Sequence, residues 1–415
     1  MAFLGASVAS TLSGVLKDVY LGSVVEQLNN EVLIPQRIGR ESQEFSGNQV
    51  VLSVHKQRSA GVFARGENVQ FANPGAQLYA KPVFDIKALY GRVRITGLGR
   101  VKTATQAGAF LKVLEGEING MRNDLKMDLA RQLYGDGTAR ISSANAAAST
   151  TVDIRPIAGG GTNTAEPLRK GEIYIGMIID VGTLANPNVR AIGLDVTDVS
   201  VANAQITVSS AITATSGTDF IFRGGNAGTT AAPAVYEIAG LQQVLPTAAN
   251  TFGGIDASAA GNSWWDNQRI NAAGSLTLDL MTQSVNTVTV AGGDTSGMIS
   301  TPGIQRALFN LLQPQVRYVE PMTLHGGFKA LDYFGQPFIA DRQAPFGKVF
   351  FLEEKQLKMF DTGDWNWLDE DGNILKWVVG FDAWEAVLAK YCNLGAQRRN
   401  TQLLLYGLTD DPAGI

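Results

Sequence analysis

The chain has 415 residues, enough for two or three packed units, with 45% hydrophobic and 17% charged residues and a net charge of -4. A single cysteine, Cys392, excludes an intrachain disulfide, and one cysteine with two distant histidines, His55 and His325, cannot form a dense zinc-ligand cluster. No apolar run is long enough to span a bilayer, and the acidic balance points away from general nucleic-acid affinity.

Residues 1–45 read as a partly helical arm. Val15, Val19 and Leu28 fall at roughly helical spacing, Gly22 interrupts them and Pro35 stops the run. No basic region precedes the apolar start, which argues against a signal peptide. Two strands are expected next, within a unit spanning 46–100. In QVVLSVHK, Val50, Leu52 and Val54 share one face. In VFDIKALYGRVRIT, Phe84, Ile86 and Ala88, then Val93 and Ile95, face the core, and Arg92 and Arg94 face away. The intervening residues 57–82 are rich in Gly, Pro, Asn and Gln. A connector of that length is usually functional or disordered, and two flanking strands suggest a long hairpin reaching away from the body. Basic residues gather in and beside it: Lys56, Arg58, Arg65, Lys81, Lys87, Arg92 and Arg94, with only Glu67 and Asp85 opposing them. A hairpin with no core of its own is ordered most easily against a neighbour, so the loop as a set reads as a contact between subunits.

A single long helix is expected within 101–140. Leu111, Leu114, Ile118, Met121, Leu125, Leu129 and Leu133 step by three or four residues, at a mean just above 3.6. That spacing makes one straight stripe rather than a left-handed coiled-coil seam. About 30 residues at 1.5 Å each would span about 45 Å. The opposite face carries Lys112, Glu115, Asn119, Arg122, Asn123 and Lys126, which reads as a solvated face; Lys112, Arg122 and Lys126 on an interior surface near nucleic acid is the sharper alternative. Gly116 and Gly120 weaken the polar side, and Gly135-Asp136-Gly137 ends the helix.

Residues 141–167 read as a low-complexity linker, and short strands within 168–225 then argue for a small β-barrel or sandwich, together filling 141–235. From 236 to 380 the chain is mixed. SLTLDLMTQSVNTV and TPGIQRALFNLLQ read as helices, the second with Thr301 as N-cap and Pro302 in the first turn. GDWNWLDEDGNILKWVV reads as a hairpin turning at Asp371-Gly372. In 381–415, WEAVLAKYCNLG fits helix or strand equally, and QLLLYGL is a final strand.

Catalytic and ligand motifs are weak. Gly97-Leu98-Gly99 lies where a dinucleotide fingerprint would sit, but its third glycine is replaced by Lys102 and the preceding strands read as antiparallel. Asp369, Asp371 and Gly372 resemble part of a calcium loop whose first ligand position is Trp367, which cannot coordinate. Neither histidine has a partner at motif spacing, and GxSxG, HExxH and GxxxxGK[ST] are absent. No catalytic, cofactor or metal residue is assigned.

The order of parts resembles the major capsid protein of a tailed bacteriophage, of the Hong Kong 97-type fold. LGRVKTATQAG, ARQLYGDG, TFGGIDASAAGNSWW, GQPFIADRQAP and GAQRRNTQLLLYGL carry the resemblance, which covers nearly the whole chain. It implies an α+β fold: an N-arm, an E-loop hairpin, a P-domain with a long spine helix, and an A-domain, here with a small all-β insertion domain. It implies a non-enzymatic shell protein, without cofactor, forming pentamers and hexamers around packaged double-stranded DNA in a virion assembled in the host cytoplasm. Expected partners are a portal, a decoration protein and, since few residues precede Val50, a separate scaffolding protein. Expected contacts between subunits are Arg58, Arg65 and Glu67 in the E-loop and Arg37, Arg40 and Glu41 in the arm. Lys56 and Lys81 lie where some members form a crosslink, but no matching acceptor or glutamate is found. The rival readings are a virion decoration or attachment protein, suggested by the β insertion and the Trp-rich segment, and a hydrolase with a site in 236–400 using Asp256 or Asp341.

Overall fold

The computed structural model describes residues 33–42, 49–59, 61–70, 73, 75–97, 107–157, 162–183, 189–226, 236–312, 322–323, 329–369, 372 and 374–410. The arm helix expected over Val15–Leu28, the Leu98–Lys102 turn, His325 and Asp371 lie outside them.

The long helix runs Ala107–Tyr134. Its stripe behaves as its period requires: Ile118, Met121, Leu125, Leu129 and Leu133 are all buried. Among the described residues, no second helix of similar length covers them. They join one core with Leu89 and Val93 of strand Lys87–Thr96 and with the central sheet behind it. Gly91 lets that strand approach, since a Cβ there would meet the Leu125 side chain at 2.5 Å. Gly116 and Gly120 face open space.

The central sheet is organised by strand Ala383–Ala396, which resolves the ambiguity of WEAVLAKYCNLG in favour of strand. It pairs antiparallel with Lys87–Thr96 along its length and with Leu357–Asp361, which in turn pairs parallel with Gly39–Ser42. The Trp-rich segment departs from the expected hairpin. Asn366–Trp367 and Lys376–Trp377 both pair with Ala383–Ala396, at Ala389 and Leu388 and at Glu385 and Trp384, and not with each other. The turn exists, with the Gly372 N–H donating to the Asp369 carbonyl at 2.7 Å. The long strand nevertheless offers a continuous edge, and burial of Trp365 and Trp367 against the core fixes the two pieces end to end.

A seven-stranded mixed sheet forms the second layer. Its middle strands are Leu403–Leu408, Val349–Leu352, Gly297–Ser300 and Gln336–Ala340. Alternation splits its residues between two cores. Met298, Phe351, Leu403 and Leu405 pack with helices Leu278–Val290 and Pro302–Leu312, while Ile299, Phe350 and Leu404 join the core of the long helix. Thr277 and Thr301 cap those helices through their side-chain oxygens, accepting from Leu280 N at 3.2 Å and Ile304 N at 3.3 Å.

The third body is a closed five-stranded barrel of Arg140–Arg155, Ile178–Thr183, Val189–Ser200, Gln205–Ala214 and Asp219–Arg223. The linker expected over 141–167 is corrected here, because 140–155 is the barrel's longest strand. Its Ser142, Ser143, Ala144 and Ala146 are buried, small enough to fill a narrow barrel, and the Ser143 hydroxyl donates to Asp219 O and accepts from Gly217 N. Such a composition reads as low complexity although every residue is placed.

Candidate assembly interface

The 49–85 segment is a hairpin in two short ladders. Gln49–Val51 pairs with Val83–Asp85 and Val54–Gln57 with Leu78–Ala80. Val50, Leu52 and Val54 share the protected face as their alternation requires, with the residues between them exposed. On the second strand Phe84 is buried but the phase shifts near Ile86, so Leu89 rather than Ala88 enters the core. The root is fixed. Phe84 packs against Phe252 and Phe360 at ring distances of 5.1 and 5.8 Å, and Val83 N donates to Gly253 O at 2.9 Å.

Beyond the root, the described residues of the hairpin form no core. Arg58, Arg65 and Glu67 are exposed, as are Val62 at 90%, Leu78 at 47% and Tyr79 at 63%. The Arg65 guanidinium lies 5.6 Å from the Phe63 ring, and the Ser59 hydroxyl ties the two limbs by donating to Gly75 O at 2.7 Å. Exposed apolar side chains alternating with charges on an extended arm suit a surface that a neighbour covers.

Of the three arm residues, the side chain of Arg37 lies within the described residues. Arg37 pairs with Glu354 through two nitrogens and also donates to Ser296 O at 3.3 Å, so it fastens helix Leu33–Arg37 to its own subunit. A half-buried bidentate pair leaves it little capacity for a second carboxylate. The Arg40 and Glu41 backbones lie in strand Gly39–Ser42, opposite Met359 and Phe360; their side chains lie outside the described residues. On the long helix, the Lys112 side chain is also outside them, and Arg122 and Lys126 are half-buried. The face most open to solvent carries Glu117, Asn123 and Asp124 instead. Within the described residues, the most exposed charges on the helix are therefore acidic.

Sequence reasoning missed a second exposed apolar group. Trp377, Val379 and Phe381 are 69%, 93% and 61% exposed beside the end of the central sheet. Arg94 stacks 4.6 Å from the Phe381 ring, and the Trp377 indole donates to Phe381 O at 2.7 Å. The run Trp377-Val378-Val379-Gly380-Phe381 was the available signal, hidden by its assignment to a hairpin strand.

The remaining candidates have structural partners. Asp256 accepts from the backbone and hydroxyl of Ser258 and closes an exposed turn, bonds that hold its carboxyl below the usual range. Asp341 accepts from Tyr134 Oη at 2.7 Å and from Gln343 N. The His55 ring hydrogen-bonds Gln77 and meets Tyr79 edge-on at 5.5 Å. Gly97 N donates to Asp382 O at 2.7 Å, and a Cβ at Gly97 would overlap the Asp382 carboxylate, so this glycine serves close packing. No helix of the described residues is long and apolar enough to cross a membrane.

No family model and no curated protein matches the sequence. Solved structures do. The chain in the cyanophage A-1(L) capsid asymmetric unit superposes with a TM-score of 0.55 at 12% identity, covering 94% of this chain and 93% of that one. A chain from Gordonia phage Cozz gives 0.43 at 13% identity over 92% and 87%, and one from the capsid of a native GTA particle gives 0.45 at 8% over 89% and 88%. The mixed α+β architecture of this chain is the fold of the cyanophage A-1(L) capsid subunit, shared over nearly the full length of both.

Proposed function

We propose that the chain is a major capsid protein that self-assembles into an icosahedral head shell enclosing packaged double-stranded DNA. The observation that carries this reading is the end-to-end likeness to a capsid subunit, 94% of one chain on 93% of the other. A site borrowed onto a common scaffold would match only locally. Within this reading the 49–85 hairpin is the E-loop, the Ala107–Tyr134 helix the spine of the P-domain, the seven-stranded sheet the A-domain, and the 140–223 barrel an insertion. Pentamers and hexamers would be held by many individually weak contacts, multiplied by closure of the shell. Arg58, Arg65 and Glu67 are the hairpin residues available for such contacts, and a scaffolding protein, a portal and a decoration protein are the expected partners. The function is structural and needs no reacting group.

Electron microscopy of the purified chain tests the proposal. Closed shells or capsomer rings are expected, whereas compact monomers or fibres would overturn it. Deleting residues 59–80 is expected to leave a folded monomer that forms no shells, and normal particles from that variant would remove the assembly role of the hairpin.

A further inference from the structure

Where the hairpin root meets the body lies a groove of about 660 Å³. Lys56 and Arg58 enter it from the hairpin, and Arg398 and Arg399 from the turn that follows the central strand. No carboxylate lines it, and none of these four cations is ion-paired among the described residues. Lys56 reaches only the Asn262 side-chain oxygen at 3.4 Å and the Trp264 ring at 5.9 Å, and Arg398 only the Gly292 carbonyl at 3.4 Å.

Arg399 is the anomalous member. It is fully buried, and its Nε donates to Val244 O at 2.5 Å and its Nη2 to Gln243 O and Asn250. Those bonds explain its structural role as a clamp on the 243–250 segment. They do not explain its third nitrogen, Nη1, which has no hydrogen-bond partner, although the guanidinium carbon lies 5.3 Å from the centre of the Phe252 ring. A buried guanidinium with no ion pair among the described residues is costly, and burial, which Asp266 only partly offsets and Arg269 adds to, pushes its pKa down to about 10. Three further cations line the same groove, and a bound anion would offset the positive charge gathered there.

We propose that this groove is a binding site for a phosphate-class oxyanion, met by Arg58, Arg398 and Lys56 at its mouth and by Arg399 at its base. Amide side chains of Gln397 and Asn400 at the rim supply further hydrogen-bonding groups. The same chemistry has two sources, free inorganic phosphate and the phosphodiester of a nucleic acid. The site lies within one subunit and stands whether or not the chain closes into shells.

Isothermal titration of the full-length chain at constant ionic strength, with inorganic phosphate in one arm and a short DNA duplex in the other, tests it. Saturable binding of at least one probe is expected. The double variant Arg58→Gln/Arg398→Gln should weaken that binding roughly ten-fold or more. Both side chains are exposed, so its melting temperature should match the parent. Lys376→Gln, a cation on another surface, should bind like the parent. Competition of phosphate against the duplex separates the sources. A duplex that binds and is displaced by phosphate identifies a phosphodiester ligand, and phosphate binding without duplex binding identifies the free anion. The proposal is overturned if neither probe binds saturably, or if the double variant binds as tightly as the parent.

Discussion

Arg131, in the last turn of the long helix, donates from Nη1 and Nη2 to the two oxygens of the Glu237 carboxylate, the first at 3.1 Å. The same guanidinium holds Asp128 one turn back, and Asp128 also pairs with Arg223 of the barrel at 3.0 Å. Two cations and two carboxylates thus join the helix, the barrel's last strand and the start of the later domain. Removing one member of a buried set strands the others. Arg131→Met should cost about 3–5 kcal/mol in urea unfolding, and Glu237→Gln, which keeps a hydrogen-bond acceptor, should cost less.

Acid should weaken this junction. Burial alone would raise the Asp128 carboxyl, but Arg131 and Arg223 outweigh it and hold it below its ordinary value; Arg140 and Thr138 do the same for half-buried Asp136. A depressed folded-state pKa gives stability that is present above the unfolded pKa and lost as pH falls through the folded one. Chemical unfolding followed from pH 7 downward should show that loss below about pH 4. It should be reduced in an Asp136→Asn variant.

Glu172 should show the opposite sign. Burial pushes its carboxyl from 4.5 to about 7, despite Lys170 and Arg131 nearby. The folded state therefore holds a proton that the unfolded chain releases, and stability declines as pH rises from about 4.5 to 7. Glu172→Gln should stabilise the protein at pH 8 by up to about 3 kcal/mol and change little at pH 4.5. Thermal melts of both proteins at the two pH values check the difference.

Gly240 offers a test of packing. A Cβ there would lie 2.3 Å from the Gln132 carbonyl, 2.4 Å from that of Gly135 and 2.6 Å from the Gly135 nitrogen, all backbone atoms at the end of the long helix. No rotamer change relieves such a clash. Gly240→Ala should cost at least about 3 kcal/mol by denaturant titration. Gly116→Ala, facing open space on the same helix, should instead stabilise by up to about 1 kcal/mol.

At the hairpin, Arg65→Glu should leave the unfolding free energy within about 0.5 kcal/mol of the parent, since its charge meets an exposed ring. It should still reduce particle yield in a sedimentation assay. A variant that loses folding instead would assign Arg65 to the subunit's own stability.

The elements that could be read in the sequence were those with a strong period. The stripe from Ile118 to Leu133 and the alternation of Val50, Leu52 and Val54 survive intact because each needs only one buried face. Strand 140–155 could not be read, because its small residues carry little hydrophobic contrast and the barrel that orders them is assembled from distant strands. The Trp365–Val379 pieces were misread for a related reason: local turn chemistry favours a hairpin, and only the edge of Ala383–Ala396 overrides it. For the candidate interface, the hairpin and its exposed Arg58, Arg65 and Glu67 could be foreseen from composition. The internal pairing of Arg37 and the groove around Arg399 depend on tertiary neighbours that no spacing records.

The pairing of Ala383–Ala396 with Lys87–Thr96 also dictates the order in which the protein can be made. Partner residues Ala383 and Thr96 are roughly 300 positions apart, so the central sheet cannot close until all the residues between them have been translated. The barrel draws all its strands from 140–223 and can fold while synthesis continues. Meanwhile the apolar stripe of the long helix waits uncovered for residues not yet translated. That interval, rather than the finished subunit, is when the chain most needs a chaperone.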